Sequence, residues 1–165
     1  MPHEKTIDFN LVFPGDLEYI PAVRKFVSDM LAAGNFSPKF AYRSEIIIDE
    51  ICNNAVNFGC LSVDANVELA CRIDTREVEF IIKDEGGRKE DVKKLSEAIK
   101  KKPPAKQPSA AKNAGDDKCL GLEIVRMISD RVDFQIDKNN ITSVRVIKKR
   151  DGQAVETPMP AGSDS

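Results

Sequence analysis

The sequence predicts an α/β fold of the α+β type: a two-layer sandwich in which helices cover one face of a mostly antiparallel sheet. Two patterns lead to this prediction. Short segments with an apolar residue at every second position predict half-buried strands, and longer segments with apolar residues every three or four positions predict helices. Their order is strand, helix, helix, strand, strand, helix, strand, strand, with a long basic segment before the third helix.

The first strand and the first two helices follow one another closely. Apolar and polar residues alternate over residues 6–13, which predicts a strand. Helical spacing over residues 17–31 predicts the first helix, and Pro21 is either tolerated near its start or moves the start to about that residue. The second helix is predicted from about Ser37, a good N-cap before a proline, to Gly59.

The second half of the chain contains four predicted strands and one helix. Residues 67–73 and 78–82 alternate and are joined by a short link, which predicts a hairpin. A third helix is predicted over residues 120–130, followed by strands over 132–136 and 142–146. Four apolar side chains are predicted to form the inner face of this helix: Leu122, Val125, Met127 and Ile128.

Composition predicts one compact domain over residues 1–150 and a disordered tail over residues 151–165. The formal net charge of −2 gives no general reason to expect nucleic-acid binding. No apolar segment is long enough to cross a bilayer and no signal-peptide pattern is present, so we expect a cytoplasmic protein. His3 is the only histidine, which argues against a histidine triad, and Cys52 and Cys71 are predicted as reduced core thiols.

Residues 88–118 differ from the rest of the chain because they are rich in lysine and contain three prolines. Such a segment buries little apolar surface and is predicted to be mobile. A long insertion of this kind in a compact domain is either a lid over a ligand or an idle solvated loop, and its composition alone does not decide between them.

The second predicted helix carries an unusual polar stripe. Glu50, Asn53, Asn54 and Asn57 are spaced so that they share one helical face. Asn is a poor helix former because its side chain competes for backbone hydrogen bonds. Three of them beside one Glu suggest oxygen ligands gathered at a site, although an ordinary solvated face explains the stripe equally well.

Two glycine-containing segments complete a candidate nucleotide site. The predicted hairpin runs into Asp84-Glu85-Gly86-Gly87, where a buried Asp84 carboxylate can accept the exocyclic amine of adenine and the glycines let the backbone come close to the base. Leu120-Gly121-Leu122 opens the third helix, whose free amides and dipole suit phosphates. The Asn54 side-chain oxygen suits Mg²⁺. Lys118 either reaches a phosphate or stays solvated.

In this order the three segments resemble the sequence boxes of the GHKL ATPases, a superfamily that includes type II topoisomerases, histidine kinases and anti-sigma factor serine kinases. Glu50-x-x-x-Asn54-Ala55-Val56 is similar to the N-box, Asp84-x-Gly86 to the first glycine box, and Leu120-Gly121-Leu122-x-Ile124-Val125 to the second. The resemblance covers about residues 6–149, and the short single-domain length is most similar to the anti-sigma factor serine kinases.

The resemblance implies a Bergerat-type ATP-binding fold that holds Mg-ATP under a mobile lid. It implies that Glu50 is the general base, that Asn54 is the Mg²⁺ ligand and that Asp84 reads adenine. The residues expected to bind the nucleotide are Asn54, Asp84, Gly86, Lys118, Gly121 and Leu122.

The resemblance also implies an ATP-dependent protein serine/threonine kinase that phosphorylates an anti-anti-sigma partner and sequesters a sigma factor, usually as a homodimer. The rival hypothesis is a non-catalytic adaptor of the same fold, which captures a partner in a nucleotide-dependent way. Glu50 favours the kinase. Cys119 stands where the second glycine box usually begins with another glycine, and it favours the adaptor.

Overall fold

A computed structural model describes residues 5–87, 90, 93, 94, 97 and 117–150, without the side chains of residues 117–120. Residues 90, 93, 94 and 97 are helical. The predicted mobile segment lies almost entirely outside the described residues, and the predicted tail over 151–165 lies wholly outside them, so both remain predictions.

The elements follow the predicted order. The strands are β1 (Ile7–Pro14), β2 (Asn66–Ile73), β3 (Glu77–Asp84), β4 (Arg131–Ile136) and β5 (Thr142–Lys149), and the long helices are α1 (Ile20–Ala33), α2 (Pro38–Gly59) and α3 (Asp117–Ile128). A short 3₁₀ helix precedes α1, which starts at Ile20, so Pro21 lies in its first turn, where its missing N–H costs no helical hydrogen bond. Ser37 caps α2 by accepting a hydrogen bond from the Phe40 N–H.

The sheet has the order β1-β2-β3-β5-β4, and every neighbouring pair is antiparallel. This confirms the predicted fold class. Because β5 lies between β3 and β4, the register sets Asp84 at the end of β3 opposite Thr142 at the start of β5. Two positions far apart in sequence therefore meet at one end of the sheet.

One face of the sheet packs against α2, which lies at the centre of the helical layer. The inward positions of β2 and β3 are buried, and those of the edge strands β1 and β4 are mostly half-buried. Many of the intervening positions carry polar side chains such as Arg145, which forms an ion pair with Glu79. The buried helical residues that contribute most volume to this core are Ile20, Leu31, Phe40, Ile47, Ile48, Ile51 and Leu122. Within the described residues, no helix combines the length and apolar character needed to cross a membrane.

Two predictions about the core have different outcomes. Cys52 and Cys71 are buried free thiols, as predicted, and burial raises the pKa of each to about 12, so both stay protonated and unreactive. The prediction for Met127 is wrong: its side chain is 56% exposed, whereas Leu122 and Val125 are buried. Met127 follows Leu122 by five positions, which turns it well away from the inner face of a helix with 3.6 residues per turn.

The carboxyl end of α3 is fixed to β5. Lys148 is buried, its Nζ donates a hydrogen bond to the Ile128 carbonyl oxygen at 2.7 Å, and it lies 5.0 Å from the centre of the Phe40 ring. The Asp130 N–H also donates to the Ile147 carbonyl oxygen at 2.9 Å. A lysine at the negative end of the helix dipole stabilises that end.

Candidate functional site

The polar stripe of α2 divides into two parts. Glu50 and Asn54 are half-buried on the side that faces α3 and the sheet, whereas Asn57 is exposed. The Asn53 side-chain amide donates a hydrogen bond to the Asp49 carbonyl of its own helix at 2.6 Å. Asn53 is therefore satisfied locally, and the structure brings only Glu50 and Asn54 towards a common site.

Glu50 lies between α2 and α3. Gly121 of α3 is so close that a Cβ built on it would overlap Oε2 of Glu50. Burial raises the pKa of Glu50, and the nearby negative charge of Asp49 raises it further. A carboxylate with a raised pKa holds a proton more readily than an ordinary surface glutamate, which is the property required of a general base.

Asp84 ends β3 and is held by two donors. The Thr142 hydroxyl and the Gly86 N–H both donate to its Oδ1, the latter at 2.8 Å. Burial raises the pKa of Asp84, while these two hydrogen bonds lower it. The result is a carboxylate fixed in orientation at the edge of the core.

The loop after Asp84 needs its glycines. Gly86 has a φ of +88°, and a Cβ on it would overlap the Asn140 carbonyl oxygen in the turn between β4 and β5. A Cβ on Gly87 would overlap the Phe58 carbonyl oxygen near the end of α2. The loop therefore packs closely between α2 and the hairpin formed by β4 and β5.

Asn54, Asp84 and Leu122 line one small cavity of about 20 Å³. The rest of its lining is apolar: Ile51, Ala55, Ile82, Phe134 and Val144. Asn54 Nδ2 is buried and has no hydrogen-bond partner among the described residues. Leaving a buried amide donor unpaired costs about 1–3 kcal/mol, so this group is poised for an acceptor on a ligand.

A family model for the histidine kinase-like ATPase domain matches residues 13–148, which includes α2, both glycine-containing segments and Thr142. The chain belongs to this family. A histidine kinase-like ATPase domain is an ATP-binding domain, and the cavity between α2, β3 and α3 is its candidate nucleotide site.

One solved structure with the same fold is the crystal structure of the SiaB–SiaC complex from Pseudomonas aeruginosa. A chain of that complex matches with a TM-score of 0.64 and 15% sequence identity, over 86% of this chain and 88% of that chain. At this identity the likeness establishes the fold only. No curated protein sequence matches the chain.

Within this histidine kinase-like ATPase domain, the predicted site residues fall into three groups. Asn54, Asp84 and Leu122 line the cavity, while Gly86 contacts Asp84 through its N–H. Glu50 and Gly121 lie against each other beside it. The side chain of Lys118 lies outside the described residues.

Sequence reasoning missed Thr142 and Phe134. Thr142 is 5% exposed and bonds to Asp84 across 58 positions of sequence, so no local pattern connects them. The available signal was a polar residue at an inward position of a strand whose next inward positions are Val144 and Val146. Phe134 pairs with Val144 across the strands and forms a wall of the cavity.

Among the described residues, the only fit to Mg²⁺ is a site in which phosphates and waters supply most of the ligands. The described residues contain no group of three or more His, Cys, Asp or Glu side chains that could hold a metal ion. Mg²⁺ is commonly bound through one or two protein oxygens together with phosphates and waters, and the amide oxygen of Asn54 is a ligand of the required type.

Proposed function

We propose that the protein is an ATP-dependent protein serine kinase that phosphorylates a small anti-anti-sigma partner in the cytoplasm and so regulates a sigma factor by partner switching. The observation that carries the proposal is the position of Glu50. It lies one helical turn before Asn54 and against Gly121, the neighbour of the cavity residue Leu122, with a pKa raised by burial. A site for binding alone does not require a carboxylate with these properties.

The residues that line the cavity, together with Glu50, have distinct roles in this proposal. The apolar walls of the cavity enclose the base, and Asp84 accepts a hydrogen bond from its exocyclic amine. Asn54 offers its amide to the phosphates and to Mg²⁺, whose charge offsets that of the phosphates. Glu50 accepts the proton of the attacking seryl hydroxyl, which is a poor nucleophile at neutral pH.

The cavity must widen to admit a base. A volume of about 20 Å³ suits one water molecule, whereas a purine ring is several times larger. Leu122 and Phe134 are the two cavity side chains contributed by α3 and β4, and we propose that they move apart when ATP binds.

A protein partner is part of the proposal. The similar fold was solved as a complex of two proteins, SiaB with SiaC, and we infer by analogy that this chain also binds a second protein. We expect the kinase to act as a homodimer, which light scattering on the purified protein would test.

The test compares the parent protein with Glu50→Gln and a control, Glu45→Gln, which alters a carboxylate on a different face of α2. Mg-ATP affinity is measured by calorimetry, and transfer of labelled γ-phosphate to the co-purified partner is measured in a single turnover. Glu50→Gln should keep its ATP affinity and lose roughly 10²- to 10⁴-fold in transfer rate, the usual contribution of a positioned base. Glu45→Gln should resemble the parent.

Two results would reject parts of this proposal. A Glu50→Gln protein that transfers phosphate at the parental rate would remove Glu50 as the base. A parent that binds ATP but transfers no phosphate to any co-purified protein would leave the adaptor hypothesis in its place.

A further inference from the structure

Gly59, the last residue of α2, lies directly against the carboxyl group of Asp84. A Cβ built on Gly59 would be 2.5 Å from Oδ1 of Asp84 and closer still to Cγ and Oδ2. A real Cβ does not approach other atoms this closely, so any side chain at position 59 must displace the carboxylate. Asp84 is a short side chain that Thr142 and Gly86 already hold, and it has little freedom to move aside.

The backbone itself does not require glycine at position 59. Among the described glycines, only Gly86 has a positive φ. Gly59 is buried at the last position of α2, and alanine is favoured over glycine in a helix by up to roughly 1 kcal/mol, the value for an interior position. The space occupied by Asp84 is therefore the feature of this position that excludes a side chain.

We propose that Gly59 is a positioning residue: by lacking a side chain, it keeps the Asp84 carboxylate at the cavity and thereby sets a preference for adenine over guanine. This inference rests on the proposed function, because it assumes that the base lies against Asp84. Adenine presents an amine donor where guanine presents a carbonyl oxygen, and a fixed carboxylate attracts the first and repels the second.

Gly59→Ala pushes the carboxylate away from α2 and disturbs its bonds to Thr142 and Gly86. A hydrogen bond to a charged group is lost or lengthened, so ATP affinity should fall roughly 10- to 100-fold. GTP affinity should change much less, because guanine makes no favourable contact with this carboxylate. The ratio of ATP to GTP affinity therefore decreases, which a general loss of stability would not produce.

The experiment is a cycle of four full-length proteins: the parent, Gly59→Ala, Asp84→Ala and the double variant. ATP and GTP affinities are measured by calorimetry, and the urea midpoint of unfolding is measured without nucleotide. In the Asp84→Ala background, adding Gly59→Ala should leave ATP affinity unchanged and raise the urea midpoint, because the obstruction is gone and alanine favours the helix.

A control glycine is available at the end of α1. The nearest atom to a Cβ on Gly34 belongs to the Phe36 ring, 3.3 Å away, and Gly34 has a φ of −81°. Gly34→Ala should bind ATP and GTP with parental affinities.

Each remaining outcome decides the question. A Gly59→Ala protein with the parental ATP-to-GTP ratio would overturn the inference. If Gly59→Ala alone fails to fold, folding of the double variant supports it, and equal failure of both overturns it. A parent that binds neither nucleotide rejects the proposed function together with the adenine preference. In that case the urea midpoints of the four proteins still show whether Gly59 positions Asp84.

Discussion

Thr142→Val is expected to destabilise the protein by an amount that depends on pH. The hydroxyl of Thr142 donates to Oδ1 of Asp84, and the side chain is 5% exposed, so water cannot replace the lost donor. Valine keeps the shape of threonine. The substitution therefore removes one hydrogen bond and leaves the Gly86 N–H, at 2.8 Å, as the remaining described donor to the same oxygen.

The magnitude follows from the charge of Asp84. When the carboxyl group is ionised, losing a hydrogen bond to it costs about 1.5–3 kcal/mol; when it is protonated, an ordinary bond of about 0.5–1.5 kcal/mol is lost. Burial raises the pKa of Asp84 above its usual 3.8, so the folded state binds this proton more readily than the unfolded state. The contribution of Asp84 to stability therefore falls as pH rises through the window between 3.8 and the raised pKa, and Thr142→Val extends that window to higher pH because it removes a bond that lowers the pKa.

Thermal unfolding over a series of pH values measures this effect. At neutral pH the loss corresponds to a decrease in Tm of roughly 3–12 °C, at about 2–4 °C per kcal/mol for a domain of this size. Thr142→Ser keeps the donor and serves as the control for the pH dependence. The reasoning is refuted if the cost of Thr142→Val is the same above and below the window, or if Thr142→Ser shows the same pH dependence as the valine variant.

Asn54→Ala is expected to weaken Mg-ATP binding at least about tenfold while the protein stays folded, because its buried Nδ2 has no partner among the described residues. Asn53→Ala, which removes an amide bonded to its own helix, is the matched control in the same calorimetric titration; equal affinities for the parent and Asn54→Ala would exclude Asn54 from the site. ATP affinity is also expected to fall as the solution is acidified through the raised pKa of Asp84, since a protonated carboxyl group loses its charge as an acceptor. Titrations from neutral to acidic pH, with Asp84→Asn as the insensitive control, measure this; a flat profile for the parent would contradict it.

The fold could be predicted largely from local patterns. The alternation of apolar and polar residues predicts the strands, and the Ser37–Pro38 pair predicts the start of α2, because these signals depend on neighbouring residues. The prediction that Met127 lies on the inner face of α3 is wrong because this helix contains many apolar residues. The sequence does not show which of them the core covers. The strand order could not be read in the same way, since the pairing of β3 with β5 depends on contacts between distant segments.

The candidate site was predictable where chemistry and spacing coincide and not elsewhere. Glu50 and Asn54 stood out because their spacing sets them on one helical face. Asn53 shares that spacing, yet its amide bonds to the backbone, a choice that depends on side-chain rotation rather than sequence position. Gly59 was interpreted only as a helix stop, because its closeness to Asp84 arises from packing across two elements.

The bond from Lys148 fixes the carboxyl end of α3 to β5 at a point outside the candidate cavity. The helix is tied to β5 at Ile128, and Leu122 lies about 9 Å along the axis from that point, at 1.5 Å per residue. A rotation of about 10° about Ile128 would carry Leu122 by roughly 1.5 Å, comparable to the radius of a water molecule. A tilt of that size would change the distance between Leu122 and Asn54, which line the same cavity, and would leave the bond from Lys148 at the end of the helix in place.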